Sequence, residues 1–367
     1  MKKSVILLSA ALAVFLTSSG TVCADSNILV CDKSGDFTAL IVSDPQCDTE
    51  LQWQQAKDEL ETLVVRCNPD FVLINGDINS KNLIPEDMWN IFISPLESRG
   101  IFWSTANGNH DPFKYRYYKM YKSYKNCLNS TVSIFDKNYD FERPMNYCLP
   151  VYSNNGKKMV FAIYVFDSGT LGKNGYDGVT SKQINWYISQ SEKLKKQNGG
   201  KTVTAMLCMH IPLPQAVDMY YSTRDASAVS GETSGGFYTV YGVANEPKYN
   251  KKGYVCENGT AVSKVKIHTS SPTLDSGLFE AALKQGDIKA FIFGHDHCTN
   301  IIGSYNGVLL GFAGKLSTGC YSDELCRGGR VIRFNQSDPE SFTAEWLGAL
   351  ESCEDQPPVY SDGTRAY

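Results

Sequence analysis

The chain has only five histidines, and four of them stand at or just beyond the ends of apolar runs. His295 and His297 follow Phe291-Ile292-Phe293-Gly294, His210 follows Leu207-Cys208-Met209, and His110 lies in Asn107-Gly108-Asn109-His110-Asp111. On extended backbone, residues two apart project to the same side, so His295 and His297 can face one pocket. Asp44 (with Gln46 two positions on), Asp77 and Asn109 follow three further apolar runs. Carboxylate, amide and imidazole donors without a thiolate suit zinc, manganese or iron. Two such ions about 3.5–4 Å apart clamp the attacking and leaving oxygens of an in-line displacement. That arrangement needs one carboxylate shared by both ions, and Asp77 is the natural choice. Water bound to such an ion falls in pKa from about 15.7 toward about 7, which supplies hydroxide near neutral pH. This chemistry fits phosphoester hydrolysis, whose barrier is mainly one of positioning and charge stabilisation.

A single Asp or Asn after a strand is ordinarily a turn former or a helix cap. Here five elbows carry Asp, Asp, Asn, His and His-x-His, and regularly alternating elements supply them. Apolar strands at 37–42, 71–74 and 101–104 alternate with helical stretches at 51–65 and 88–93, the pattern of βαβ units in an α/β fold. A strand at 159–166 ends at Asp167, a turn residue, and a helix at 181–196 stops at Asn198-Gly199-Gly200. Strands at 202–209 and 288–293, the second preceded by a helix at 276–285, deliver the histidines. Segments 307–313 and 330–334 read as closing antiparallel strands, and the tail after Glu354 as frayed. In open α/β sheets the ligand crevice lies beyond the carboxyl ends of the strands, so these elbows would gather at one edge.

Two stretches interrupt the alternation. Residues 113–157 are rich in tyrosine, contain Cys127 and Cys148, and show no clean period, which reads as a surface excursion. Residues 212–272 are polar and rich in Gly, Ser and Tyr, the make-up of a lid or an unstructured segment. His268 within them matches no motif and reads as solvated. With no internal repeat and no Pro-rich linker, residues 25–367 read as one domain with two insertions. Residues 1–24 read as a secretory signal peptide: Lys2-Lys3, an apolar run from Val5 to Leu16, and small residues ending at Ala24. Beyond it no segment approaches the eighteen or more apolar residues of a transmembrane helix, so a secreted product is expected. Net charge of −4 offers no field for a nucleic-acid scaffold. Of twelve cysteines, Cys23 leaves with the leader. Export then predicts several disulfides among the rest, with Cys320–Cys326 one short-loop option. Three sequons, at Asn129, Asn258 and Asn335, are compatible with glycosylation.

Asp44-Pro45-Gln46, Gly76-Asp77, Gly108-Asn109-His110-Asp111, His210 and Gly294-His295-Asp296-His297, in this order, resemble the calcineurin-like metallophosphoesterase superfamily. His210-Ile211-Pro212-Leu213-Pro214 and Arg327-Gly328-Gly329-Arg330-Val331 look like its small branch related to purple acid phosphatases. The resemblance covers about residues 37–334 and implies two packed mixed β-sheets flanked by helices. It gives one metal ion Asp44, Asp77 and His297, and the other Asp77, Asn109, His210 and His295. It leaves His110 unliganded as the general acid, with Asp111 orienting its ring. Two departures stand out. Gln46 replaces the usual histidine and would bind as a weaker amide ligand. Ser80 replaces the tyrosine of the purple enzymes, so a colourless protein is expected.

The leading expectation is a phosphomonoesterase acting on a phosphoester substrate. A phosphodiesterase for nucleotide or lipid head-group substrates would use the same centre. A binding protein that has lost the ion beside Gln46 is the reading from another class, although it would have no use for His110.

Overall fold

The computed structural model describes residues 28–78, 85–111, 120–128, 145–172, 175–176, 178–216, 218–219, 275–297, 299–320, 324–353 and 355–363. The expected leader, most of both insertions, Ser80, His268 and the sequons at Asn129 and Asn258 lie outside these residues.

The elements form two mixed sheets. One has seven strands in the order β1(Leu29–Val30)–β5(Tyr147–Tyr152)–β6(Met159–Phe166)–β9(Thr204–Met209)–β10(Ile288–Phe293)–β12(Val308–Phe312)–β11(Ile302–Tyr305). The other has six, β15(Gln356–Tyr360)–β14(Asp338–Gly348)–β13(Gly328–Asn335)–β2(Asp36–Val42)–β3(Phe71–Asn75)–β4(Phe102–Ala106). A two-stranded ribbon, β7(Leu171–Gly172) with β8(Gly175–Tyr176), stands apart. Strands β2, β3 and β4 are mutually parallel, as are β6, β9, β10 and β12, so each sheet sends several carboxyl ends the same way.

Period-two alternation explains the layering. Phe37, Ala39 and Ile41 of β2 and Phe71 and Leu73 of β3 pack against Phe161, Ile163, Val165, Cys208 and Ile292 of the opposite sheet. Their neighbours Leu40, Val42, Val72 and Ile74 turn outward onto Trp53, Leu60 and Leu63 of α1(Glu50–Cys67) and Trp89 and Phe92 of α2(Glu86–Glu97). On the far side, Tyr164, Phe166, Leu207 and Phe291 meet α3(Ser181–Gln197) and α4(Leu278–Gln285). The result is the expected layering of helix, sheet, sheet and helix. Strands covered on both faces become continuous apolar runs, and β6 is buried at every position. Helix α1 starts at Thr49, whose hydroxyl accepts the Gln52 amide while the Gln52 side chain accepts the Thr49 amide.

Several expectations are corrected. The stretch read as a surface excursion contributes β5 to the seven-stranded sheet, and Tyr121, Cys127 and Leu128 to the cores. The tail pairs as β15 on β14. Its two prolines argue against a strand, but β15 is an edge, where a missing N–H is tolerated. Of the closing strands, β13 is antiparallel to β2, but β12 runs parallel to β10. Among the described residues the nine cysteines, Cys320 and Cys326 included, form no disulfide.

Candidate metal centre

The parallel strands of both sheets end on a common rim, and each delivers one elbow to it. Four elbow residues have left-handed backbone: Asp44 (φ 54°), Gln46 (φ 40°), Asp77 (φ 49°) and His295 (φ 73°). Such conformations are uncommon for residues other than glycine and persist where surrounding contacts enforce them. The enforcing contacts are close. A Cβ on Gly294 would lie 2.0 Å from Ser43 Oγ, and one on Gly108 would lie 2.0 Å from Asp77 Oδ1. The glycines flanking Asn109 and His295 are therefore spatial requirements.

Asp77 lies at the centre. Ligand atoms of Asp77, His210 and His295 fall within 4.8 Å of one another, and so do those of Asp44, Asp77 and His297. The two triads share only Asp77. His210 Nε2 is 3.2 Å from Asp77 Oδ2 and 3.7 Å from Asp44 Oδ1, and His297 Nε2 is 3.2 Å from Asp44 Oδ1. His210 Nδ1 lies 2.8 Å from the Asn75 carbonyl, which can only accept, so Nδ1 carries a proton and Nε2 faces the triads.

Four buried polar atoms here have no hydrogen-bond partner: Asp44 Oδ1, Gln46 Oε1, Asn109 Oδ1 and His210 Nε2. Unpartnered buried polar groups are costly and rare, so four converging on one place describe a cation site. The amide of Gln46 is oriented by its other half, since Nε2 donates to Asp77 Oδ2 at 2.8 Å. Its oxygen is thus left without a hydrogen-bond partner. The donor set fits a pair of metal ions.

The charges around the centre pull in opposite directions. Burial raises the Asp44 carboxyl, but His210 and His297 hold it below the usual range. Burial disfavours a charged His210, yet Asp77 and Asp44 push its pKa up to about 10. His295 goes the other way, down to about 3, through burial and the neighbouring His210.

His110 differs from the rest. Its side is exposed, while its backbone N–H donates to Asp77 Oδ1 at 2.7 Å. Asp111 is fully enclosed, and its oxygens accept the backbone amides of Ile78 (3.0 Å) and Gly108 (2.9 Å). Asp111 thus braces the loop through main-chain contacts. Burial and Asp77 push its pKa up to about 7. Asp167 is a buried turn residue as expected, accepting from Gly169 N (3.0 Å) and from Asn107 Nδ2 (3.2 Å).

Three important residues were not singled out from sequence. Asn75 accepts from His210 and from Ser43 Oγ through its carbonyl, and its Nδ2 reaches Met209 O (3.1 Å) and Ile292 O (3.2 Å) on the opposite sheet. Tyr176 of β8 stands edge-on to His295 with ring centroids 4.6 Å apart. Lys315 is wholly buried and donates to the Asp44 carbonyl at 2.6 Å. A polar residue closing an apolar strand was the available signal for Asn75, and a lysine just past one for Lys315.

The chain is similar to several known proteins. Two Arabidopsis thaliana relatives are named probable inactive purple acid phosphatases 14 and 29, each 23% identical. They align over 70% and 78% of this chain and over 60% and 74% of their own lengths. The chain thus spans less than two thirds of the first of them. Among solved structures, a dimetal phosphatase from Danio rerio is 12% identical, covering 89% of this chain and 99% of that one at a TM-score of 0.47. The sequence profile of calcineurin-like phosphoesterases matches residues 37–299, more than half of the chain. With its motifs gathered on one rim and Asp77 shared between two ligand triads, this chain belongs to the calcineurin-like phosphoesterase family.

Proposed function

We propose that the chain is a two-metal phosphomonoesterase. The observation that carries this reading is the single carboxylate of Asp77 common to two ligand triads. Asp44, Asp77, His297 and the Gln46 amide would hold one ion, and Asp77, Asn109, His210 and His295 the other; iron, zinc and manganese all suit these donors. Bound ions supply Lewis-acid polarisation of a phosphoryl oxygen and acidify water.

The remaining work belongs to side chains of the protein. Asp77 positions the ligand set and, by accepting the His110 amide, fixes the backbone from which the His110 ring reaches toward solvent. That ring protonates the departing alkoxide, and Asp111 keeps the loop from drifting. Hydrolysis of p-nitrophenyl phosphate in preference to its bis-ester is the expected result, with hydrolysis of an alkyl phosphate, whose poor leaving group needs a proton, slowed by orders of magnitude in His110→Ala while metal content stays intact. Preference for the bis-ester makes the protein a diesterase. An unaffected His110→Ala with a poor leaving group removes the acid role.

A second reading, a metal-depleted binding protein, draws on the word inactive in the names of both relatives and on an amide at Gln46. Elemental analysis separates the two. Two ions per chain with turnover supports the enzyme; one or none without turnover supports the binder. We also propose that residues 1–24 direct export. N-terminal sequencing of the mature protein should then begin near Asp25, and a product starting at Met1 rules this out.

A further inference from the structure

We propose that Lys315 sets the charge of the ion held beside Asp44, making that position one for a divalent ion and disfavouring a trivalent one. The inference rests on the metal-centre reading above and adds a determinant of metal choice outside the ligand set.

Lys315 follows β12 and is completely enclosed. Its ammonium donates to the Asp44 main-chain carbonyl at 2.6 Å. Among the described residues no carboxylate lies within ion-pair distance of it. The nearby Cys47 thiol is no counter-ion, since it donates to the Pro45 carbonyl at 3.3 Å and so keeps its proton. Burial disfavours the charge of an enclosed ammonium, so nearby negative charge must balance it. The candidates are the carboxylates of Asp44 and Asp77, the two that the ions themselves need.

Counting formal charges makes the consequence plain. The assigned ligands contribute two carboxylates, and Lys315 offsets one of them. Each added charge on an ion beside Asp44 is opposed by the same fixed ammonium, so the third positive charge raises the repulsion without a matching anion. At close range in partly dry surroundings such a term changes an equilibrium about tenfold or more.

The lysine is also held in place. Leu316 donates its amide to the Ser43 carbonyl (3.0 Å), and Ser317 Oγ donates to the Pro45 carbonyl (2.5 Å). A Cβ on Gly319 would lie 2.1 Å from the Gln46 carbonyl. Residues 315–319 thus lie flat along the Asp44-Pro45-Gln46 elbow and fix the ammonium relative to the ligands.

Competition dialysis of the full mature chain with zinc(II) and gallium(III) citrate, read by elemental analysis, tests this without reference to turnover. The wild type should bind two ions per chain, no more than one of them gallium. Lys315→Met should shift the gallium-to-zinc ratio about tenfold or more toward gallium. Lys315→Gln, which keeps a donor for the Asp44 carbonyl but no charge, should shift it likewise. An unchanged ratio in Lys315→Gln assigns the effect to the hydrogen bond and overturns the proposal. So does a wild type that takes two gallium ions per chain, which needs no variant. A wild type that binds neither metal removes the metal centre itself, whereas two bound zinc ions with an unaltered ratio remove only the role of Lys315.

Discussion

The two halves of the centre are built differently. The half containing Asp44, Gln46 and His297 lies deep, with left-handed backbone at two of its residues, a loop laid along its elbow and a buried ammonium behind it. The half containing Asn109, His210 and His295 adds only neutral donors to the shared Asp77, and it opens toward the exposed His110 and the half-buried Tyr176. The deep half is distinguished chiefly by the lysine and loop behind it, and the open half by ring orientation. Which atoms touch an ion is therefore only part of what determines its behaviour.

The largest effect should come from removing what the halves share. Asp77→Ala should abolish binding of both ions and lower turnover by several orders of magnitude, as elemental analysis and initial rates would record. Retention of one tightly bound ion would mean that the halves are separable. Next in size is His210→Ala, which should empty the open half alone and leave one ion per chain. Equal loss from both positions would erase the distinction between them.

A pH experiment sharpens it further. In metal-free protein the folded pKa of His210 is raised to about 10, so its contribution to stability is complete below about pH 6.5 and lost as pH rises toward 10. His295, lowered to about 3, contributes above about pH 6.5 and loses that contribution as pH falls. Chelator-treated protein should melt highest near pH 6.5, and adding zinc should remove the alkaline decline because the metal replaces the proton on His210. A decline of the same size with zinc present would place His210 outside the centre. Gln46→His should produce a smaller change, tightening the ion in the deep half in equilibrium dialysis, because its amide oxygen already points there unpartnered. The smallest effect is expected at the start of α1: Thr49→Ala should cost about 1 kcal/mol in thermal unfolding and leave metal content unchanged.

The sequence made the ligands legible because each stands at the end of an apolar run, where a strand must stop and a polar group can be left at the edge. The βαβ succession was legible for the same reason. Strand β14 was missed although Phe342, Ala344 and Trp346 alternate inward in it, because charged residues dilute its apolar signal. β5 was hidden among tyrosines, whose bulk suits a surface or a core equally. Glu59 faces the core from α1 beside Leu60 and Leu63, a charge on an apolar stripe, and it pairs with Arg327. Residues that act through another residue's backbone, such as Asn75 and Lys315, carry no spacing motif, since their partners are main-chain atoms common to every sequence.

Asn75 has one more consequence. Its amide pins the six-stranded sheet to two adjacent strands of the seven-stranded one, immediately beneath the imidazole it orients. Any sliding of one layer over the other must break that rivet before it alters the gap between the ions. The distance that matters to the chemistry is thereby gauged by the seam of the sandwich, and loosening the seam from afar would detune the centre without touching a ligand.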